Sequence, residues 1–325
     1  LHPRTHRRSP AFGRATQLMS RSRVGQRLAS PWLLLSAASL FWAINMVVGR
    51  GLRGDIPPVA MAFWRWTISF VLILPFVTPV LWRERRTIAA SWPVLALLGL
   101  VGICLFNTMC YIALTMTTAT NGALFNSVVP VFIPPMAWLL FRTRTTWRQM
   151  AGILISLLGV VVIVAEGRLE TLQALAFNRG DLWLLAAMVL WALYTVLLKF
   201  RPPTLGMLDF LGVILLFGWP MLAVWYAFEL STGAHVVWSV RSVAALAYFG
   251  TVPSILAFVC YSRGVAAVGP TRGGIFVHLV PVFGIALSTL VLGEPPHLHH
   301  AFGILFIAAG IVLTTTQRRP RGDHG

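Results

Sequence analysis

Two side chains that can carry charge lie inside long apolar stretches of this sequence: Arg65, in the phrase FWRW, and His278, in the phrase HLVPVF. A charge in hydrocarbon is expensive, and ionisable groups found there usually mark a path for ions or polar solutes. Each also has a plainer reading. Arg65 could use its long stem to snorkel to an interface between Trp64 and Trp66. His278 stands about eight residues, or roughly 12 Å, into its apolar run. It could be a hydrogen-bonded packing histidine, a solute contact, or a group that changes charge near neutral pH, its unperturbed pKa being about 6.5.

Neutral polar and aromatic residues accompany them in the apolar runs: Trp42, Asn45, Asn107, Tyr111, Asn121, Asn126, Trp191, Tyr194 and Tyr261. Amides would supply hydrogen bonds to a solute and rings would hold apolar or cationic groups, although amides in membranes also bridge helices. All nine carboxylates fall in tails, loops or the ends of apolar runs, Asp55, Asp181, Asp209 and Glu294 among them, which argues against a carboxylate cage for a divalent metal. GEPPHLHH, Gly293 to His300, sets Glu294 beside three histidines, a pattern that a solvated helix start explains as well as a metal site. The sequence holds no GxSxG elbow, Walker loop or HExxH pair. No metal, cofactor or enzyme chemistry is expected.

The elements that must position these residues follow from composition. The 325 residues are 57% hydrophobic and 11% charged, with a mean hydropathy of +0.78, too little charge to clothe a water-soluble chain. Ten stretches match the roughly 17 to 25 apolar residues that cross a hydrocarbon core: Trp32–Val48, Val59–Trp82, Trp92–Met116, Thr118–Phe141, Gln149–Ala165, Leu182–Leu198, Leu208–Phe228, Val243–Ser262, Gly273–Leu292 and Leu298–Thr315. The net charge of +17 then serves orientation. Of 26 Lys and Arg, 20 fall in the two tails and the even-numbered loops, five in the odd-numbered loops, and Arg65 within a span. The positive-inside rule puts both termini in the cytoplasm, and nucleic acid is not an expected partner. Cys104, Cys110 and Cys260 lie within spans and read as core residues. The Arg-rich tail lacks a small-residue cleavage site after a short apolar run, so it reads as retained. The first methionine is Met19, which makes a start there an alternative to Leu1.

One phrase occurs twice. SVVPVF begins at Ser127 and HLVPVF at His278, 151 positions later; at the same offset Gly152 recurs as Gly303 and Gly159 as Gly310, and at 149 Trp42-Ala43 recurs as Trp191-Ala192. Constant spacing over this distance means a duplicated unit. Five spans is an odd number, so the second copy enters the membrane from the opposite face, as an inverted repeat. Proline removes a backbone donor and frees the carbonyl four residues earlier. Pro130, Pro134, Pro135 and Pro281 therefore predict kinks that are tolerated only against protein or a watery cavity.

These stretches also resemble a known family. FWAINMVVGR at Phe41–Arg50, FWRW around Arg65, NGALFNSVVPVF at Asn121–Phe132, GDLWLLAAMVLWALYTVLLK at Gly180–Lys199 and GPTRGGIFVHLVPVFGIALSTLVLGE at Gly269–Glu294 resemble, in this order, the EamA type of the drug/metabolite transporter superfamily. The resemblance implies a solute site between the halves, with the fifth and tenth helices at the periphery. The family pattern usually has a glutamate after the fourth helix of each half. Glu294 keeps it as a gating or coupling candidate, whereas Thr143 takes the matching place in the first half.

The expectation is an all-α integral membrane protein of ten transmembrane helices in two inverted five-helix repeats. A basic cytoplasmic tail covers 1–30, the first repeat 31–166, a linker 167–180, the second repeat 181–316 and a cytoplasmic tail 317–325. Its function would be secondary transport, as an exporter of amino-acid-like or drug-like metabolites across a bacterial-type inner membrane by alternating access. An integral-membrane enzyme or a non-transporting scaffold is the alternative. The expected partners are the solute and lipid, with a homodimer left open.

Overall fold

The computed structural model describes residues 30–50, 56–173, 178–292, 295 and 297–316. The tails up to residue 29 and from 317, and part of the inter-repeat linker, lie outside the described residues.

Ten helical spans account for almost all of the described chain: α1 (Pro31–Arg50), α2 (Pro58–Arg83), α3 (Trp92–Met116), α4 (Asn121–Phe141), α5 (Trp147–Val164), α6 (Arg179–Phe200), α7 (Met207–Ser231), α8 (Val240–Val268), α9 (Pro270–Leu290) and α10 (Leu298–Thr315). Nine of them are long and apolar enough to cross a membrane, and the apolar part of α1, Pro31–Asn45, is shorter. Large apolar side chains point outward along them, including Phe76 at 69%, Val224 at 71% and Leu305 at 65% exposure. This is a surface for hydrocarbon, since water would penalise it.

Local sequence marks the ends. Thr146 and Gln149 form a capping box at the start of α5, Asn178 and Asp181 at α6, and Ser239 and Ser242 at α8. Pro58 occupies the first turn of α2, where its missing N–H costs nothing. The α8–α9 corner turns on Gly269 at φ +88°, a conformation that penalises a β-carbon.

The two five-helix halves interleave in reciprocal pairs. α3 packs on α6, and its counterpart pair α8 on α1 does the same; α4 with α6 is matched by α9 with α1. α2 meets α7 and α5 meets α10. The repeated glycines form the last contact: a β-carbon on Gly152 would lie 2.7 Å from the Gly310 carbonyl oxygen, and one on Gly159 would lie 2.6 Å from that of Gly303. Close backbone approach through small residues is how helices associate in lipid, where no hydrophobic force acts between them.

Departures from α-geometry are also paired. α4 breaks at Ser127 and Val128, and α9 tightens to a 3₁₀ turn over Ile275–His278, both just ahead of the prolines of the repeated phrase. The second pair has no counterpart in the sequence reading: π-helical turns at Leu100–Leu105 in α3 and Val252–Leu256 in α8. Such turns leave carbonyls without their usual partner. Asn107 Nδ2 donates to the carbonyls of Gly102 and Ile103 at 3.0 and 3.1 Å, and Ser254 Oγ to that of Phe249 at 2.6 Å. The α8 span predicted to end at Ser262 runs on to Val268, with Arg263 exposed on its surface and free to extend toward headgroups.

Candidate functional site

Arg65 lies inside the bundle, 8% exposed. Its Nη1 donates to the Tyr111 hydroxyl of α3 at 2.9 Å and its Nε to Ser254 Oγ, within the π turn of α8. The guanidinium carbon sits 5.4 Å from the Trp66 ring centroid. α2 and α8 approach closely enough here for Ser69 Oγ to donate to the Gly250 carbonyl at 2.6 Å. Among the described residues no carboxylate pairs with Arg65; their ion pair is Arg83 with Glu84, at a helix end. Burying an unpaired cation costs several kcal/mol, so its fork and the polar groups nearby favour an anion. Trp66 Nε1, and Thr108 Oγ1 one turn before Tyr111, are buried polar atoms that find no partner among the described residues.

An aromatic cluster adjoins this cation through Trp66, whose ring meets Phe258 edge-on at 5.7 Å. Trp191 of α6 stands at its centre. Trp42 lies 5.6 Å from it, Phe106 4.6 Å, Tyr194 5.1 Å, Phe258 5.9 Å and Tyr261 5.4 Å. The repeat mates Trp42 and Trp191 therefore face each other in T geometry, the arrangement that their ring quadrupoles favour. Hydroxyls fix the tyrosines, Tyr194 to Ser262 Oγ at 3.1 Å and Tyr261 to Thr195 Oγ1 at 3.0 Å. One turn along α1 from Trp42, the Oδ1 of Asn45 is buried without a partner among the described residues. Trp42, Asn45, Arg65, Tyr111, Trp191, Tyr194 and Tyr261, singled out in the sequence, thus gather around the seam of α1, α2, α3, α6 and α8.

The remaining candidates lie elsewhere. His278 is fully buried between the halves: Nε2 is 2.7 Å from the Ser127 carbonyl oxygen and Nδ1 2.7 Å from Ser156 Oγ. A carbonyl only accepts, so Nε2 carries the proton and Nδ1 accepts from the serine. Asn121 Nδ2 donates to both oxygens of Asp181, each at 3.0 Å. Asn126 is half-buried one residue before the α4 break. Pro130 and Pro134 are buried, Pro281 is half-buried, and Pro135 is exposed on the outer face. Glu294 lies outside the described residues. His297, His299 and His300 cluster at the start of α10 with ring centroids 4.2 to 5.6 Å apart, and no group of His, Cys, Asp or Glu among the described residues has metal-holding geometry.

Two carboxylates that the sequence places in loops or at the ends of apolar runs are buried. Asp181 is fully buried and Glu229 is 9% exposed. Glu229 at the end of α7 accepts from the Val59 and Ala60 amides at 2.8 and 2.7 Å, satisfying the open N–H groups of α2 and its positive dipole end. The sequence signal was present, since Glu229 is an acid in the last turn of an apolar 25-residue helix, but its pairing with the start of α2 crosses 170 residues.

Comparisons with known proteins agree with this geometry. A protein-family model described as the EamA-like transporter family matches residues 30–165 and 178–316. An uncharacterized transporter of Archaeoglobus fulgidus is 30% identical over 295 residues, covering 88% of this chain and 97% of that one. A protein of Streptantibioticus cattleyicolor named "Probable terminal-alkyne amino-acid exporter" is 27% identical over 302 residues, covering 89% and 94%. A solved crystal structure superposes with a TM-score of 0.72 at 21% identity, covering 88% of this chain and 96% of that one. The matching proteins carry transporter names and not enzyme names, and with two matched repeats spanning the whole ten-helix bundle, this chain belongs to the EamA-like transporter family.

Proposed function

We propose that this transporter is a secondary exporter of small organic metabolites that carry an anionic group and an apolar or aromatic body, working by alternating access of its two halves across the cytoplasmic membrane. The observation that carries the reading is Arg65, a buried guanidinium with two neutral partners and no carboxylate among the described residues. A carboxylate of the solute is the group that its planar fork suits. Trp42, Trp191, Tyr194 and Tyr261 would take the apolar body, and the unpartnered Oδ1 of Asn45 a donor such as an ammonium. The exporter name of the Streptantibioticus relative supports the direction and an amino-acid-like solute. Asn121 and His278 would act on the halves, through the bonds that they already make across the seam, and Pro130 and Pro281 would shape the cavity wall.

Cells that overproduce the protein are expected to lose one or a few carboxylate-bearing metabolites to the medium faster than cells without it. Metabolite profiling of cells and medium measures this, and profiles unchanged across growth conditions would reject export.

The basic bias supports cytoplasmic termini, with the start of α10 outside and the α4–α5 corner inside. Cysteines placed singly at Leu298 and Arg144, both exposed, should react differently with an impermeant thiol reagent. Leu298→Cys is expected to label in intact cells and Arg144→Cys only after lysis; the reverse would invert the topology.

A further inference from the structure

Asp181 is fully buried, pairs with no cation among the described residues, and bonds across the two halves. Its carboxylate accepts from Thr117 Oγ1 at 2.6 Å, from Asn121 Nδ2 at 3.0 Å on each oxygen, and from the Asn178 amide at 2.9 Å. Thr117 and Asn121 belong to the α3–α4 corner of the first half and Asp181 begins α6 of the second. A β-carbon on Gly180 would lie 2.8 Å from Met116 Cβ and 2.9 Å from the Ala113 carbonyl oxygen, so the two segments are in backbone contact. The antiparallel run of the spans sets this clasp at the same end of the bundle as Glu229 on the α2 amides. At the opposite end the corresponding contact between the halves is made by Lys199 over the Phe141 ring at 4.3 Å, with no acid involved. The contact between the halves is therefore held by a carboxylate at one end and by a cation over a ring at the other.

A helix cap alone requires none of this. Asn178 and Asp181 already cap α6 by themselves; the bonds from Thr117 and Asn121 are additional and come from the other half. We propose that Asp181 is a proton-binding clasp, whose ionised carboxylate holds this end of the bundle shut and whose protonation releases it. The inference rests on the alternating-access reading above, which requires this end to open. A proton from water at that end adds to one carboxylate oxygen, and no other covalent bond changes. That oxygen becomes a donor and a much weaker acceptor, so the hydrogen bonds that Thr117, Asn121 or Asn178 give it weaken in a buried setting. Separating the halves removes the Thr117 and Asn121 donors from the carboxylate. Proton uptake and opening therefore favour each other, because each is easier once the other has happened.

The groups facing Asp181 leave it as the titrating one. α3 brings Cys110 and Tyr111, nearly two turns before Thr117, and α4 brings no titratable side chain at all. Arg179, beside it in sequence, and Arg168 and Glu170 on the preceding connector are exposed.

Nitroxides at Leu114→Cys and Leu182→Cys, 41% and 57% exposed on the two sides of the clasp, report its separation in nanodiscs, with Cys104, Cys110 and Cys260 replaced by alanine. The pulsed-EPR distance distribution of the wild type is expected to be single at pH 8 and to gain a longer population only at about pH 4 and below, where an aspartate released from these bonds takes up a proton. Asp181→Asn should show the longer population at both pH values. Asn121→Ala, which keeps the carboxylate but deletes two of its bonds, should open at a pH higher by about one unit. Equal distributions at about pH 4 and at pH 8 in the wild type, or a pH response retained in Asp181→Asn, would overturn the proposal. If Asp181→Asn does not fold, the wild-type and Asn121→Ala titrations decide. The measurement uses no solute, so it can fail while export stands, and export can fail while the clasp opens with acid.

Discussion

Arg65→Gln is expected to lower solute flux by at least about tenfold while the protein still reaches the membrane. Glutamine removes the charge that a solute carboxylate would meet. A hydrogen bond to a charged group contributes about 1.5–3 kcal/mol, and 1.4 kcal/mol corresponds to a factor of ten. Arg65→Lys should recover part of the flux, since it restores the charge without the fork that now reaches Tyr111 and Ser254 together. Ser254→Ala serves as the control for mere positioning. It frees Nε without touching the solute path and should cost only a few-fold. Flux measured in proteoliposomes, with size-exclusion profiles to confirm folding, separates these outcomes. Full flux in Arg65→Gln would leave the rings and Asn45 as the whole site.

A leucine at Gly152 is expected to lower the apparent melting temperature in detergent by about 5–10 °C. Overpacking a tight contact costs about 1–3 kcal/mol, and each kcal/mol moves the midpoint of a chain this long by about 2–4 °C. The reason for a value at the high end is that the new side chain would meet the backbone of α10, the Gly310 carbonyl at 2.7 Å and the Thr314 amide at 2.9 Å, and backbone cannot swing aside. Gly284→Ala is the matched control, because nothing lies within 4 Å of its added carbon. Scanning fluorimetry checks both. An unshifted Gly152→Leu would mean that α5 and α10 are not held by this seam.

What could be read from the sequence is what lipid or the duplication imposes on it. A hydrocarbon slab demands long apolar runs, so the spans were legible nearly to their ends. The duplication left the proline phrase and the paired glycines in register, and the structure breaks α4 and α9 beside those prolines. Less visible was anything decided by a partner distant in the chain. The π turn at Leu100–Leu105 contains no proline to announce it; it is sustained by Asn107, whose amide would equally well have suited a solute. Asp181 and Glu229 stand at or near the ends of apolar runs, where position alone does not announce burial. Their burial is made tolerable by donors 60 and 170 residues away, which no local pattern reports. The site itself was half legible: residue type nominated Trp42, Arg65 and Trp191, while Ser254, Trp66 and Phe258, which hold them, look like ordinary span residues.

Ser127 and His278 occupy the same place in the two repeats, and they touch each other. Where repeat mates meet, the internal symmetry axis must pass between them. Were the two halves separate copies of one five-helix polypeptide, that spot would be filled by two identical residues. Two serines would be too short to bridge the carbonyl, and two histidines would have to share one gap. A donor ring facing a bare carbonyl is a heterologous pair, available only once the two halves differ in sequence. The contact thus marks a point at which the two repeats have ceased to be identical, and the pseudo-symmetry of the bundle is broken at its centre.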